Sequence, residues 1–111
     1  MQITQHGQYY QIVNVTSQRH NLLALLCGEG ETAGPPVVER FPAIAGVERE
    51  FLDPQELLKA VLAGVERANR EHGRRFRVRV LRYVENDTPP ESIYSELAYR
   101  LIVHMIRERS G

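Results

Sequence analysis

Apolar residues in the first half of the chain fall in short runs separated by turn-forming residues. Tyr9–Val15 (YYQIVNV) is rich in β-branched and aromatic residues, which predicts a strand. Residues 22–27 (LLALLC) are continuously apolar, and their length suits a buried strand, although periodicity leaves a helical turn open. Residues 37–44 (VVERFPAI) predict a weaker strand, in which Pro42 indicates a sheet edge or a strand end. The intervening residues 28–36 (GEGETAGPP) predict a flexible loop.

Residues 53–73 contain signals for the N-terminus, the buried face and the C-terminus of a helix. Asp53 can cap its N-terminus, Pro54 suits the first helical position, and Glu56 completes a capping box. Gly73 fits the left-handed position after the last turn. Six apolar residues recur at helical spacing between these signals and predict one buried face: Leu57, Leu58, Val61, Leu62, Val65 and Ala68.

Residues 74–84 (RRFRVRVLRYV) alternate between arginine and apolar residues, which predicts a half-buried strand. Phe76, Val78 and Val80 would face the core. The alternation shifts at Leu81 and Tyr83, which a β-bulge or burial of both faces would explain.

The last segment predicts a second helix. Thr88 and Glu91 have capping-box spacing, and the two prolines between them place the helix start at Pro90 or at Ser92. The predicted buried stripe of this helix comprises Tyr94, Leu97, Ala98, Leu101, Ile102 and Met105.

The predicted element order is β-β-β-α-β-α. It indicates an α+β fold in one domain spanning residues 1–111: a two-layer sandwich whose two helices cover one face of a mixed sheet. The other face would meet water. The alternating arginines Arg75, Arg77 and Arg79 belong on that open face, because an unpaired guanidinium is costly to bury.

Composition narrows the function classes. Fourteen basic residues balance fourteen acidic ones, so any binding to a polyanion needs a local basic patch. The single cysteine, Cys27, cannot form an internal disulfide, and the first residues have no signal-peptide pattern. The longest apolar run is too short to cross a bilayer, which takes about 20 residues. These features predict a cytoplasmic, soluble protein with no membrane partner.

The residues that usually carry catalysis form no recognisable motif. His6, His20, His72 and His104 are scattered, so we expect neither a metal site nor a cofactor. A small hydrolase that uses Ser95 with a histidine lacks triad-like spacing or a nucleophile elbow. We therefore expect a protein that is not an enzyme.

The arginines of the predicted fifth element are the main candidate contact residues. On an open sheet face they would contact phosphates or stack on bases. The alternative is cross-strand pairing with Glu39, Glu48 or Glu50. The five candidates are Arg74, Arg75, Arg77, Arg79 and Arg82.

Three stretches, in order along the chain, resemble domain IV of bacterial elongation factor G. HGQYYQIVNV is similar to the opening strand of that domain. AVLAGVERANREHG is similar to its first helix, in which the family typically shows Ala-Val, then Gly-Ile, then Glu-Ala and a final Gly. FRVRVLRYVENDTPPESIYSELAYRL is similar to its last strand, tip loop and Ser-x-x-Ala-Phe helix, with Ser95, Ala98 and Tyr99 at the matching positions. The resemblance implies the ribosomal protein S5 domain 2-like fold.

The resemblance also implies a candidate tip loop, formed by Glu85, Asn86, Asp87 and Thr88. The tip of the family carries a histidine and two serines that reach the ribosomal decoding region, and this segment has two prolines and no histidine. The chain has no GTP-binding motif of the P-loop kind. We therefore infer the fold from the resemblance, and not the translocation activity.

Two functions follow as expectations. The first is a non-enzymatic module that contacts the ribosome or structured RNA through the arginine-lined face, with the tip loop as a secondary contact. The second is a module that binds a protein partner or a second copy of itself, through the same face or through the edge strand at residues 37–44.

Overall fold

The computed structural model describes residues 1–30, 34–42 and 51–110. Five strands and two helices pack around one apolar core. Their order is β1 (Gln2–His6), β2 (Tyr9–Val15), β3 (His20–Glu29), β4 (Val37–Phe41), α1 (Pro54–His72), β5 (Phe76–Val84) and α2 (Ile93–Ser110).

The strands form one mixed sheet in the order β1-β2-β3-β5-β4. Every neighbouring pair is antiparallel except β4 and β5, which are parallel and are joined through α1. This confirms the predicted α+β fold with two helices on a mixed sheet. It also confirms that residues 22–27 form a strand and that β4 lies at an edge.

Strand β1 was not predicted, so the observed order begins with four strands. Its sequence, QITQH, contains a single aliphatic residue, Ile3, and carries no alternating pattern. It is held by pairing with β2, across a turn in which Gly7 takes a φ of 63°. Only glycine adopts that conformation at little cost.

The loop predicted for residues 28–36 is shorter than expected. Gly28 and Glu29 continue β3, because they pair with Arg77 and Phe76 of β5. The rest of that prediction is described only at Gly30 and from Gly34 onward. The strand predicted for residues 37–44 is β4, which ends at Phe41, before Pro42, and the last two residues of that prediction lie outside the described part of the chain.

Helix α1 begins and ends at the predicted residues. The Asp53 carboxylate accepts hydrogen bonds from the backbone N–H groups of Gln55 (2.9 Å) and Glu56 (3.4 Å). Gly73 follows the last turn with a φ of 62°. The predicted buried face is confirmed for Leu57, Val61, Val65 and Ala68. Leu58 is only partly buried, and Leu62 is 39% exposed.

Helix α2 packs against α1 at unusually short range. A Cβ added at Gly64 of α1 would lie 2.1 Å from the carbonyl oxygen of Ser95 in α2. The helices therefore touch backbone to backbone at this point. The predicted stripe of α2 is buried throughout, from Tyr94 to Met105.

The predicted start of α2 is wrong. The helix begins at Ile93, so Thr88 lies too far ahead of it to act as its N-cap. The Thr88 hydroxyl instead accepts a hydrogen bond from the backbone N–H of His20, at 3.0 Å. Thr88 therefore joins the segment before α2 to the first residue of β3.

Candidate binding face of the sheet

The predicted contact residues were expected on the face of the sheet that the helices leave uncovered, here called the open face. Leu23 and Leu25 of β3 and Leu81 and Tyr83 of β5 are buried beneath the helices. Because side chains alternate along a strand, the residues between them point to the other face. There, Tyr9, Leu26, Val80 and Val37 lie side by side across four strands.

A β-bulge in β5 sets the position of two arginines. Val80 pairs with Leu26 and Val78 pairs with Cys27, so Arg79 is the extra residue between them. The bulge confirms the first explanation of the shifted alternation. It keeps Phe76 and Val78 in the core while Leu81 and Tyr83 also reach it.

The bulge places the side chain of Arg79 over Gly28, the residue that pairs with Arg77. Arg77 pairs with Gly28, and a Cβ added to Gly28 would lie 3.6 Å from Nε of Arg79. The Arg79 side chain therefore lies in ordinary van der Waals range of this position. Both arginines are exposed.

Two other members of the arginine row have partners. Arg74 binds the Glu29 carboxylate with two nitrogens, Nε at 2.5 Å and Nη2 at 2.9 Å, and this hydrogen-bonded pair lowers the pKa of Glu29. The Arg82 guanidinium lies 4.2 Å from the Tyr9 ring centre, and its Nε is 3.6 Å from the Glu39 carboxylate. The predicted pairing with Glu39 is therefore confirmed for Arg82.

Arg75, Arg77 and Arg79 differ from these two. All three are exposed, and within residues 1–30, 34–42 and 51–110 none of them forms an ion pair. Glu48 and Glu50, the other predicted partners, lie outside the described residues. Arg77 and Arg79 are thus two exposed cationic side chains, two positions apart on β5.

A shallow groove of about 310 Å³ continues this face toward β1 and β4. Tyr9 and Arg82 form its centre, and His6 and Phe41 form its two ends. Gln11 adds an amide and Ala24 a small apolar floor. The face therefore combines stacking surface, hydrogen-bonding groups and cationic side chains, which are the groups that bind exposed bases and phosphates.

The candidate tip loop has a different structure from the one that the resemblance implies. Asn86 is 2% exposed and Asp87 is fully buried, so neither presents its side chain as an exposed tip. Glu85 is half-buried and pairs with Arg40 of β4 at 2.8 Å.

Asp87 is the centre of a buried polar network that joins β3 to α2. Its Oδ1 accepts a hydrogen bond from Nδ1 of His20 at 2.7 Å. Its Oδ2 accepts from the backbone N–H of Leu22 at 2.8 Å and from the Tyr94 hydroxyl at 3.2 Å. Asn21, also fully buried, donates to the Thr88 carbonyl at 2.7 Å. We therefore assign Asp87 to holding the fold together.

The sequence did not point to this network. His20 and Asn21 precede an apolar run, where they read as turn residues, and Asp87 lies 65 or more positions away. The one indication in the sequence was a pair of polar residues, His20 and Asn21, directly before an apolar run. Such a pair does not reveal which distant residue will form hydrogen bonds with it.

The groups considered for catalysis lie apart from one another. Burial raises the pKa of the Cys27 thiol to about 12, which keeps it a poor nucleophile at neutral pH. Ser95 lies in the helix contact beside Gly64, whereas His104 pairs with Glu108 at 3.1 Å. In the part of the chain that the structure describes, no three potential metal ligands come together.

Comparison with known proteins adds no relative. No protein-family model matches the chain, and no curated protein or solved structure is significantly similar to it. Neither helix, over the residues described, has the length and apolar character that crossing a membrane requires.

Proposed function

We propose that this protein is a non-enzymatic binding module that contacts structured RNA, such as that of the ribosome, through the open face of its sheet. The observation that carries the proposal is the pair Arg77 and Arg79, exposed on that face without an ion pair among the described residues. A folded protein gains little from two adjacent unpaired cations. A phosphate backbone would neutralise both and release counterions.

The neighbouring residues support the same proposal. The Arg82 guanidinium already lies over the Tyr9 ring, 4.2 Å from its centre, and a base can stack beside such a pair. The resemblance to domain IV of elongation factor G, with its ribosomal protein S5 domain 2-like fold, favours a ribosomal RNA as the ligand. That resemblance covers the β2, α1 and β5–α2 segments.

The experiment is a fluorescence-anisotropy titration of a labelled RNA hairpin, repeated at several salt concentrations. The double variant Arg77→Glu/Arg79→Glu should weaken binding, and the slope of log affinity against log salt should fall by about 2, or about 1 for each lost phosphate contact. Lys59→Glu/Arg70→Glu is the matched control, since it makes the same charge change on exposed side chains of α1. An equal loss of RNA affinity in both double variants would contradict binding through the open face.

A protein ligand on the same face is the second candidate. The observation in its favour is the row of partly exposed apolar side chains that ends at Val37, which is 54% exposed. Such a row suits an apolar partner surface better than a phosphate backbone. Capture from cell lysate that survives both nuclease and high salt, and that Val37→Asp abolishes, would favour this candidate.

A further inference from the structure

The shallow groove on the open face has a small residue as its floor and longer side chains on both sides. Ala24 of β3 pairs with Gln11 of β2 on one side and with Arg82 of β5 on the other. Neighbouring strands lie about 4.8 Å apart, so the backbones of Gln11 and Arg82 are about 10 Å apart across the sheet. The groove volume of about 310 Å³ lies at the lower end of the range for small-molecule pockets. It therefore suits a ligand group of modest size.

Tyr9 and Arg82 form a stacking platform in this groove. The Arg82 guanidinium lies 4.2 Å from the centre of the Tyr9 ring, although β3 lies between their strands. Its Nε is also 3.6 Å from the Glu39 carboxylate, so its charge is already paired. A nucleobase is uncharged, and it stacks on an aromatic ring or on a guanidinium plane without needing a free cation. The Tyr9/Arg82 platform therefore suits a base better than a phosphate.

Gln11 supplies a hydrogen-bonding group beside the platform. It is half-buried, and its side-chain amide makes no hydrogen bond to another described residue. The amide has one oxygen acceptor and two N–H donors, and this combination pairs with the edge of a base. In a duplex the pairing edge of each base is occupied by its partner and the faces are stacked on neighbouring bases. Only an unpaired base offers a free face to Tyr9 and a free edge to Gln11.

The groove extends across the whole sheet. His6 of β1 lies at one end and Phe41 of β4 at the other, and these two strands are the edges of the sheet. Four strand spacings separate them, which amounts to about 19 Å. RNA-binding domains with a four-stranded sheet stack about two or three unpaired bases on its aromatic side chains. The groove thus has the length for a short single-stranded segment, with an aromatic ring at each end.

We infer that the groove holds a single-stranded RNA segment of about two or three nucleotides. One base stacks on the Tyr9/Arg82 platform and pairs through its edge with the Gln11 amide. Arg77 and Arg79, which lie farther along β5 and form no ion pair among the described residues, contact the phosphates of the same RNA. The preferred ligand is therefore an RNA loop or single-stranded end, and not a duplex. This inference rests on the proposed function, because it names the part of an RNA that the open face contacts.

Two labelled RNAs with equal numbers of phosphates test the inference by fluorescence anisotropy at low salt. One is a hairpin with an unpaired loop, and the other is a blunt duplex with the same stem sequence. The wild-type chain should bind the hairpin at least about tenfold more tightly, since one stacked base contributes roughly that factor. Tyr9→Leu should abolish this preference. Gln11→Leu should weaken hairpin binding by about fivefold and leave duplex binding unchanged.

Tyr99→Leu is the matched control. The Arg67 guanidinium lies 4.0 Å from the centre of the Tyr99 ring, so the helix layer contains the same kind of tyrosine–arginine contact as the groove. The control variant removes that contact without changing the open face, and it should leave the affinities for both RNAs unchanged. Thermal unfolding shows that each variant is folded before its affinity is compared.

Equal affinities of the wild-type chain for the hairpin and the duplex would overturn the inference. If that binding still weakened with salt and with Arg77→Glu/Arg79→Glu, the proposed function would stand and only the unpaired base would be lost. A hairpin preference that survives Tyr9→Leu, or that Tyr99→Leu removes equally, would place the unpaired bases elsewhere and would also overturn it. Binding of neither RNA would contradict the proposed function and, with it, this inference.

Discussion

The two faces of the sheet differ in burial and in charge. On the helix-covered face Leu23, Leu25 and Leu81 are fully buried, and α1 approaches α2 so closely that Gly64 has no room for a side chain. On the open face Arg77 and Arg79 protrude without ion pairs among the described residues. One face is therefore tightly packed, and the other carries exposed cationic side chains that are available to a ligand.

Arginines of the same strand region show this division most clearly. Arg74 is fixed by two nitrogens on Glu29, and Arg82 is held between Tyr9 and Glu39. Arg77 and Arg79 have no such constraints within the described residues. Pairing with glutamates therefore accounts for Arg74 and Arg82, and it leaves Arg77 and Arg79 as the candidates for ligand binding.

The largest expected effect lies on the helix-covered face. Gly64→Ala should lower the free energy of unfolding by about 3 kcal/mol, because the added methyl group forces the helices apart and outweighs the better helix propensity of alanine. Chemical denaturation measures this loss. Gly34→Ala is the matched control, since nothing lies within 4 Å of its added Cβ. Equal stability of the two variants would contradict the close contact between α1 and α2 at Gly64.

The buried network at the junction of β3 and α2 should give the next largest effect. Asp87→Ala leaves three donors without their acceptor, which should cost about 2–4 kcal/mol in the free energy of unfolding. Asp53→Ala removes an exposed helix cap and should cost about 1 kcal/mol. Urea denaturation of both variants measures the difference. A smaller loss for Asp87→Ala would show that the network is not part of the core.

A smaller effect is expected from the Arg74–Glu29 pair. The pKa of Glu29 is lower in the folded protein because of its hydrogen bonds to Arg74. The stabilisation is thus present above the pKa of the unfolded chain and disappears as the pH falls through the folded value. Arg74→Gln should flatten the loss of stability between about pH 5 and pH 3. Denaturation at several pH values measures it, and unchanged pH dependence would contradict the assignment.

The smallest expected effect is on the open face. Arg77→Gln/Arg79→Gln should change the free energy of unfolding by less than about 0.5 kcal/mol, because both side chains are exposed and unpaired among the described residues. Thermal unfolding beside the wild type measures it. A loss as large as that of Asp87→Ala would mean that these arginines hold the sheet together, which would remove the reason to regard them as binding residues.

Local signals account for what the sequence predicted. Asp53, Pro54 and Gly73 mark the ends of α1 by their own backbone preferences, and these preferences act within a few residues. The alternation of residues 76–79 likewise predicted that Arg77 and Arg79 are exposed. Its continuation to Val80 was wrong, because the bulge turns Val80 to the open face. Pattern alone therefore predicted the two sheet faces only up to the bulge.

Features that depend on distant partners were missed. Strand β1 exists because β2 supplies its hydrogen bonds, and its own five residues show no alternation. Asp87 sits in a segment of turn-forming residues, and its burial depends on His20 and Leu22 from another strand. The start of α2 moved to Ile93 because Thr88 bonds to His20 instead of capping the helix.

The most direct test of the open face as the binding surface is an amide NMR titration of the protein with an RNA hairpin at low salt. We predict chemical-shift changes at Tyr9, Gly28, Arg77 and Arg79, all reversed by added salt, while amides on the outer side of α1 stay in place. Changes confined to the helices, or no change at all, would contradict the account.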